Sequence, residues 1–139
     1  MSDCVFCKIV GGQIPAAKVH EDESTLAFMD IGQINPGHVL VAVKPHVENI
    51  FGLDDGLAAA VFRTAARVAR AQKKAYAPEG VTLYQANGVA AGQTVFHFHL
   101  HLVPRYANDG MDLAWPAKNP PRAQLETEAA KIRGALATA

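Results

Sequence analysis

With 139 residues, 50% of them hydrophobic, the chain is long enough for one domain, residues 1–139, built on a buried core, and a disordered polymer is excluded. Its 13 Lys and Arg offset 13 Asp and Glu, so the net charge is zero; the basic field used to bind nucleic acid or membrane surfaces is missing, and a small, roughly neutral partner suits it better. The longest apolar run, 57–62, falls far short of the roughly 20 residues that span a bilayer, and Met1-Ser2-Asp3 lacks a basic start; a cytoplasmic chain with no membrane partner is expected.

Two cysteines occur, Cys4 and Cys7, and a close pair in a chain of this kind points to metal binding or redox chemistry before a structural disulfide. Strands are predicted at 17–21, 25–29 and 38–44 from β-branched and apolar residues between Gly, Pro and Asp. Asp54-Asp55 can cap a helix running to about Tyr76, with Leu57, Val61, Val68 and Tyr76 on one face and Pro78 as its stop. Further strands are predicted at 81–85 and 96–103. A loop rich in Gly, Pro, Asn and Asp, 108–121, then leads to an amphipathic C-terminal helix, 122–137, carrying Leu125, Ile132 and Leu136 at helical spacing. The order predicts an α+β fold with a mainly antiparallel sheet of about five strands, one long central helix and the C-terminal helix.

Three of the six histidines fall in the run His97-Phe98-His99-Leu100-His101-Leu102-Val103. Side chains alternate along a strand, so the three imidazoles line one face, next neighbours roughly 7 Å apart, while Phe98, Leu100 and Leu102 face a core. His97 and His101, roughly 13 Å apart, cannot share one ion through ligand bonds near 2 Å. That leaves an H-x-H pair of ligands, a division of labour between a metal ligand and a nucleophile, or a polar strand face satisfied by other hydrogen bonds.

This run resembles the signature of the histidine triad family of nucleotide hydrolases and transferases. Cys4-Val5-Phe6-Cys7-Lys8-Ile9, Phe28-Met29-Asp30-Ile31, Pro36-Gly37-His38-Val39-Leu40-Val41 and Gly92-Gln93-Thr94-Val95 also resemble family segments, in the family's order, and together the matches cover most of residues 4–106. The resemblance implies the family's α+β fold and a homodimer with one sheet continuous across the interface. The alanines of the central helix, Ala58, Ala59, Ala60, Ala65, Ala66 and Ala69, would permit its close approach to a partner.

The resemblance also implies covalent catalysis at the middle histidine, His99, whose unprotonated ring nitrogen attacks the α-phosphorus of a purine nucleotide; water then releases AMP or GMP. His101 would meet phosphate oxygen or the leaving group. His38 would reach the same phosphate from a neighbouring strand, and Gln93, Thr94 and the backbone after Gly92 would stabilise charge on the transferred group. Asp30 would accept hydrogen bonds from the ribose hydroxyls. Phe6, Ile9, Phe28 and Ile31 would form the slot for the base, although all four suit a core equally well. Asn87 lies near a family carboxamide position by the leaving group; in ungapped register Ala86 falls there instead.

Cys4, Cys7, His46 and His97 would complete a Cys2His2 structural zinc site of the kind carried by a bacterial branch of the family. A thioredoxin-like redox pair is the rival for the cysteines. The family divides between adenosine phosphoramidates and dinucleoside polyphosphates, and its segments here point both ways. A nucleotide-binding regulatory module with little turnover, and a zinc-dependent hydrolase with catalytic metal at His97 and His99, are the competing functions. The segment around Trp115 is a candidate for tuning leaving-group choice.

Overall fold

A computed structural model describes residues 3–139; Met1 and Ser2, on which part of the expectation about the chain's start rests, lie outside the described residues. Its elements in chain order are α1 (Val5–Val10), β1 (Lys18–Glu21), β2 (Thr25–Met29), β3 (Val39–Val43), α2 (Asp55–Tyr76), β4 (Gly80–Tyr84), β5 (His99–Arg105) and α3 (Arg122–Leu136). The five strands form one sheet in the order β1-β2-β3-β5-β4, each neighbouring pair antiparallel. This is the α+β architecture that the strand and helix patterns predict. Among the described residues, no helix is long and apolar enough to cross a membrane.

Strand alternation divides the sheet into two apolar faces. Val39, Val41 and Val43 of β3 join Leu100 and Leu102 of β5, with Phe98 just before it, against Val61, Ala65 and Val68 of α2. Leu40 and Ala42 point the other way, with Leu26 and Phe28, and are covered by Phe6 and Ile9 of α1. Because Ala42 pairs with His99 and Leu40 with His101, the histidines share the α1 face. The α2 face is therefore the core that holds β5 flat, and the α1 face is where chemistry can be placed.

Asp54 caps α2 by accepting from Leu57 N at 2.8 Å, and the helix ends at Ala77, which has φ +47°, ahead of Pro78. Its alanines divide in a way that corrects the dimer-face expectation in part. Ala65 is buried on its own sheet and Ala69 packs against the same core, so neither is free for a partner, whereas Ala59 and Ala66 face outward. Tyr76 likewise lies outside the core and closes over Gly37.

Three elements depart from the sequence expectation. Helix α1 was not anticipated: it is short, and its N-cap is Cys4, whose Sγ accepts from Cys7 N at 3.4 Å. Strand β5 begins at His99 and not at Phe96, because Phe98 N turns aside to Val47 O at 2.6 Å. The C-terminal helix forms, but Leu125, Ile132 and Leu136 are all exposed and no residue of α3 is buried.

Candidate active site

At the N-terminal end of the histidine run, backbone and side chain cooperate to aim one ring nitrogen at the cysteines. His97 is fully buried; its Nε2–H donates to Val43 O at 2.6 Å, which leaves Nδ1 unprotonated, 3.4 Å from Cys4 Sγ and 3.6 Å from Cys7 Sγ. His46 Nδ1 lies 3.3 Å from Cys7 Sγ, and the four ligand atoms all fall within 4.8 Å of one another. A tetrahedron with zinc bond lengths has edges of about 3.3–3.8 Å, so these donors could hold a metal ion. Burial pushes the Cys7 thiol up, and the adjacent Cys4 adds to the shift, so binding a metal there would release the thiol proton.

Two residues further on, the same carbonyl ladder prepares a different imidazole. His99 Nδ1–H donates to His97 O at 2.6 Å, so its free lone pair is on Nε2. Burial lowers the pKa of His99, which keeps the ring neutral. The edge-on ring of Phe6 holds it at a centroid distance of 4.9 Å.

His38 and His101 form the third part. His38 Nδ1 accepts from Ile34 N at 3.2 Å, so its proton resides on Nε2, which donates to His101 Nδ1 at 2.9 Å. His101 must then carry its own proton on Nε2, the nitrogen left for a substrate. Asp30 Oδ2 lies 3.4 Å from His38 Nε2 and 3.8 Å from His101 Nδ1, while Oδ1 accepts from Gly32 N at 2.8 Å. Asp30, His38 and His101 are also close enough to surround a cation, but the proton on His38 Nε2 makes that nitrogen a donor, and the trio reads as a hydrogen-bond relay. Burial, reinforced by the neighbouring His99 and His38, pushes the His101 pKa down to about 4; burial lowers that of His38 as well.

The position of His38 is set by the turn before it. Gly37 has φ +94°, and a Cβ there would come within 2.6 Å of the Tyr76 ring, so both its conformation and its closeness to α2 require glycine. Gln72 from α2 donates to Gly37 O at 2.8 Å and Leu102 O at 3.0 Å, tying this turn to β5. Asn35 adds bonds to Pro104 O at 2.8 Å and Asp109 at 2.9 Å, and Arg105 clamps the same Asp109 carboxylate at 2.7 and 3.0 Å.

His99 and His101 open into a cavity of about 520 Å³, a size usual for small-molecule sites. Phe6, Ile9, Phe28, Ile31, Asp30 and Thr94 line it together with Leu40, Val95 and the Ile14-Pro15-Ala16-Ala17 segment. Three of the anticipated residues are not brought into this wall. His38 is buried and spends its Nε2–H on His101, so it bears on the site through that ring and does not itself reach a phosphate. Gln93 is buried and spends its amide on the loop, accepting from Gly88 N at 2.7 Å and donating to Glu48 O at 2.7 Å and Val95 O at 3.1 Å. Asn87 accepts from Ile50 N at 2.7 Å and is paired amide to amide with Gln85. Trp115 is exposed and takes no part in the cavity. Sequence reasoning missed Tyr84, whose ring stacks on His101, and the Ile14–Ala17 wall; the first needed the β4–β5 register, the second the fold of the arm.

Comparison with known proteins places these features in a lineage. A model of the HIT domain matches residues 11–108. The Bacillus subtilis relative named Protein hit is 46% identical over 114 residues, 81% of this chain and 79% of that protein. The Schizosaccharomyces pombe relative named adenosine 5'-monophosphoramidase hnt1 is 37% identical over 115 residues, 82% of this chain and 84% of that protein. A HIT family protein of Bacillus anthracis superposes with TM-score 0.92 at 43% identity, covering 96% of each chain. A zinc-bound histidine triad family protein of Mycobacterium smegmatis does so with TM-score 0.76 at 34% identity, covering 96% of this chain and 98% of that one.

Proposed function

The chain belongs to the histidine triad (HIT) family, and on that premise we propose that it hydrolyses purine nucleotides at the α-phosphate through a nucleotidyl intermediate on His99, releasing AMP or GMP. The observation that carries this reading is the hydrogen bond from His99 Nδ1 to His97 O, 2.6 Å, which leaves the other ring nitrogen as a lone pair beside the cavity. His99 Nε2 forms a bond to the α-phosphorus while the bond to the leaving group breaks. His101 Nε2–H hydrogen-bonds the departing amine or phosphate oxygen, which takes up its proton from solvent, and His38 holds His101 in that tautomer. A water then attacks the phosphorus and loses its proton to solvent, the P–N bond breaks, and the lone pair returns to His99.

Asp30 receives the ribose hydroxyls, and Phe6, Ile9, Phe28 and Ile31 hold the purine. Thr94 and the backbone after Gly92 face the phosphate, while Gln93 serves by fixing that loop. Asn87, its amide taken up by Ile50 N and Gln85, serves in the same way by bracing its own loop. Phosphoramidates are the favoured substrates over dinucleoside polyphosphates, because a relative is named for that activity.

Cys4, Cys7, His46 and His97 hold a structural zinc ion, in keeping with the tautomer of His97 and with a zinc-bound relative. Such an ion ties the N-terminal arm, and with it Phe6, to the sheet. The protein works in the cytoplasm as a homodimer of single-domain chains. AMP release from an adenosine phosphoramidate and a diadenosine polyphosphate, measured side by side, tests the reading: the phosphoramidate should turn over faster, and His99→Ala should abolish both. Nucleotide binding without turnover in the wild type would replace the enzyme by a binding module.

A further inference from the structure

We infer that Tyr84 is a positioning residue for His101 and thereby sets which leaving groups the site expels; the inference rests on the roles given above to His99 and His101. Tyr84 is the last residue of β4 and stands directly opposite His101 in the antiparallel register, on the same face of the sheet. Its ring lies over the imidazole with a centroid distance of 4.0 Å and an interplanar angle of 8°. The other rings near His101 are tilted, His38 by 43° and His99 by 56°.

The need for such a contact follows from what a single hydrogen bond can fix. The bond from His38 Nε2 to His101 Nδ1 sets one edge of the imidazole but leaves the ring free to turn about that line. Turning would swing Nε2–H away from the leaving group. A flat partner at stacking distance fixes the plane, and Tyr84 supplies it from the edge strand.

This effect bears only on leaving groups that must be protonated. An alkylamine leaving from a phosphoramidate cannot depart as the anion and depends on His101. A nitrophenolate leaves unaided and is insensitive to where His101 points. Tyr84 therefore biases the enzyme toward amine leaving groups.

The test uses the full chain with Tyr84→Val, a substitution suited to an edge strand, and Tyr84→Phe, which keeps the ring; Tyr84→Leu replaces the valine variant should that fail to fold. The substrates are an adenosine 5'-alkylphosphoramidate and the 4-nitrophenyl ester of AMP. Tyr84→Val should lower kcat for the alkylphosphoramidate about tenfold more than for the nitrophenyl ester, with KM for the shared AMP portion little changed, and Tyr84→Phe should recover most of that difference. In proton NMR, the His101 ring signals should move downfield in Tyr84→Val and stay in place in Tyr84→Phe as the ring current is lost or kept. Equal losses on both substrates, or His101 signals that do not move in Tyr84→Val, overturn the inference. Turnover that survives His99→Ala overturns the assignment of the nucleophile itself, and the leaving-group role of His101 and Tyr84 with it.

Discussion

His97 and His101 lie four positions apart on one run and present their rings to the same side of the sheet, yet their surroundings prepare them for opposite tasks. At His97, Nε2 is spent on the backbone of β3, and Nδ1 looks into a cluster with two thiols and a second imidazole. At His101, Nδ1 is spent on His38, and Nε2 remains for the cavity. The same residue type thus becomes a ligand or a hydrogen-bond donor according to which nitrogen the fold occupies first. His99 between them is linked to both ends: its tautomer is set by the His97 carbonyl, and its ring abuts that of His101 at 5.0 Å.

If that division is right, damage at the two ends should be read by different instruments. The largest effect is expected at the metal end. Cys7→Ser should lower the melting temperature by about 10 °C or more, as loss of a structural metal does, and a strong chelator should destabilise the wild type but have little further effect on the variant. A melting temperature indifferent to both would break the comparison. His101→Gln should do the reverse, reducing turnover of a phosphoramidate by roughly a hundredfold while shifting the melting temperature far less.

Next in size is the pH dependence of stability. The His101 pKa is held down to about 4 by burial and by its histidine neighbours, below the ordinary histidine value of 6.5, so the unfolded chain binds the proton more readily. Its contribution to stability is present above about pH 6.5 and is lost as the pH falls toward 4, on the order of 3 kcal/mol over the window. His38, His97 and His99 are shifted in the same direction and steepen the slope. Thermal melts between pH 7 and about pH 4.5 should show this decline, and His101→Gln should flatten part of it; a profile unchanged by the substitution would contradict the buried neutral relay.

Asp30→Asn is expected to be milder, raising KM about tenfold with a smaller change in kcat, since a ribose contact is made in ground and transition states alike. Smallest of all should be Ile132→Glu on α3, where nothing is buried, with a melting temperature within about 1 °C of the wild type.

The parts of this division that were legible in the sequence are those that local chemistry decides. Alternation in 96–103 put the histidines on one face and Phe98, Leu100 and Leu102 on the other, and the Asp54 cap and Pro78 bounded α2. The strand rise alone separated His97 from His101 into different sites, and the two ligand groupings keep them apart. What stayed hidden depends on contacts distant in sequence. A six-residue helix capped by a cysteine has too little periodicity to be seen, and only the folded arm brings Phe6 against His99. Gln93 looks like a ligand for a phosphate, and Asn87 like a contact for the leaving group, until Glu48 and Ile50 arrive to occupy them. Leu125, Ile132 and Leu136 have helical spacing, but a helix that forms need not find a face to cover.

The central claim is that His99 is the nucleophile, and mass spectrometry of the protein quenched during turnover of an adenosine phosphoramidate tests it most directly. The account predicts an AMP adduct on the peptide containing His99, and for His99→Ala neither adduct nor turnover, a loss of at least about a thousandfold. An adduct on another residue, or wild-type turnover in His99→Ala, would contradict it.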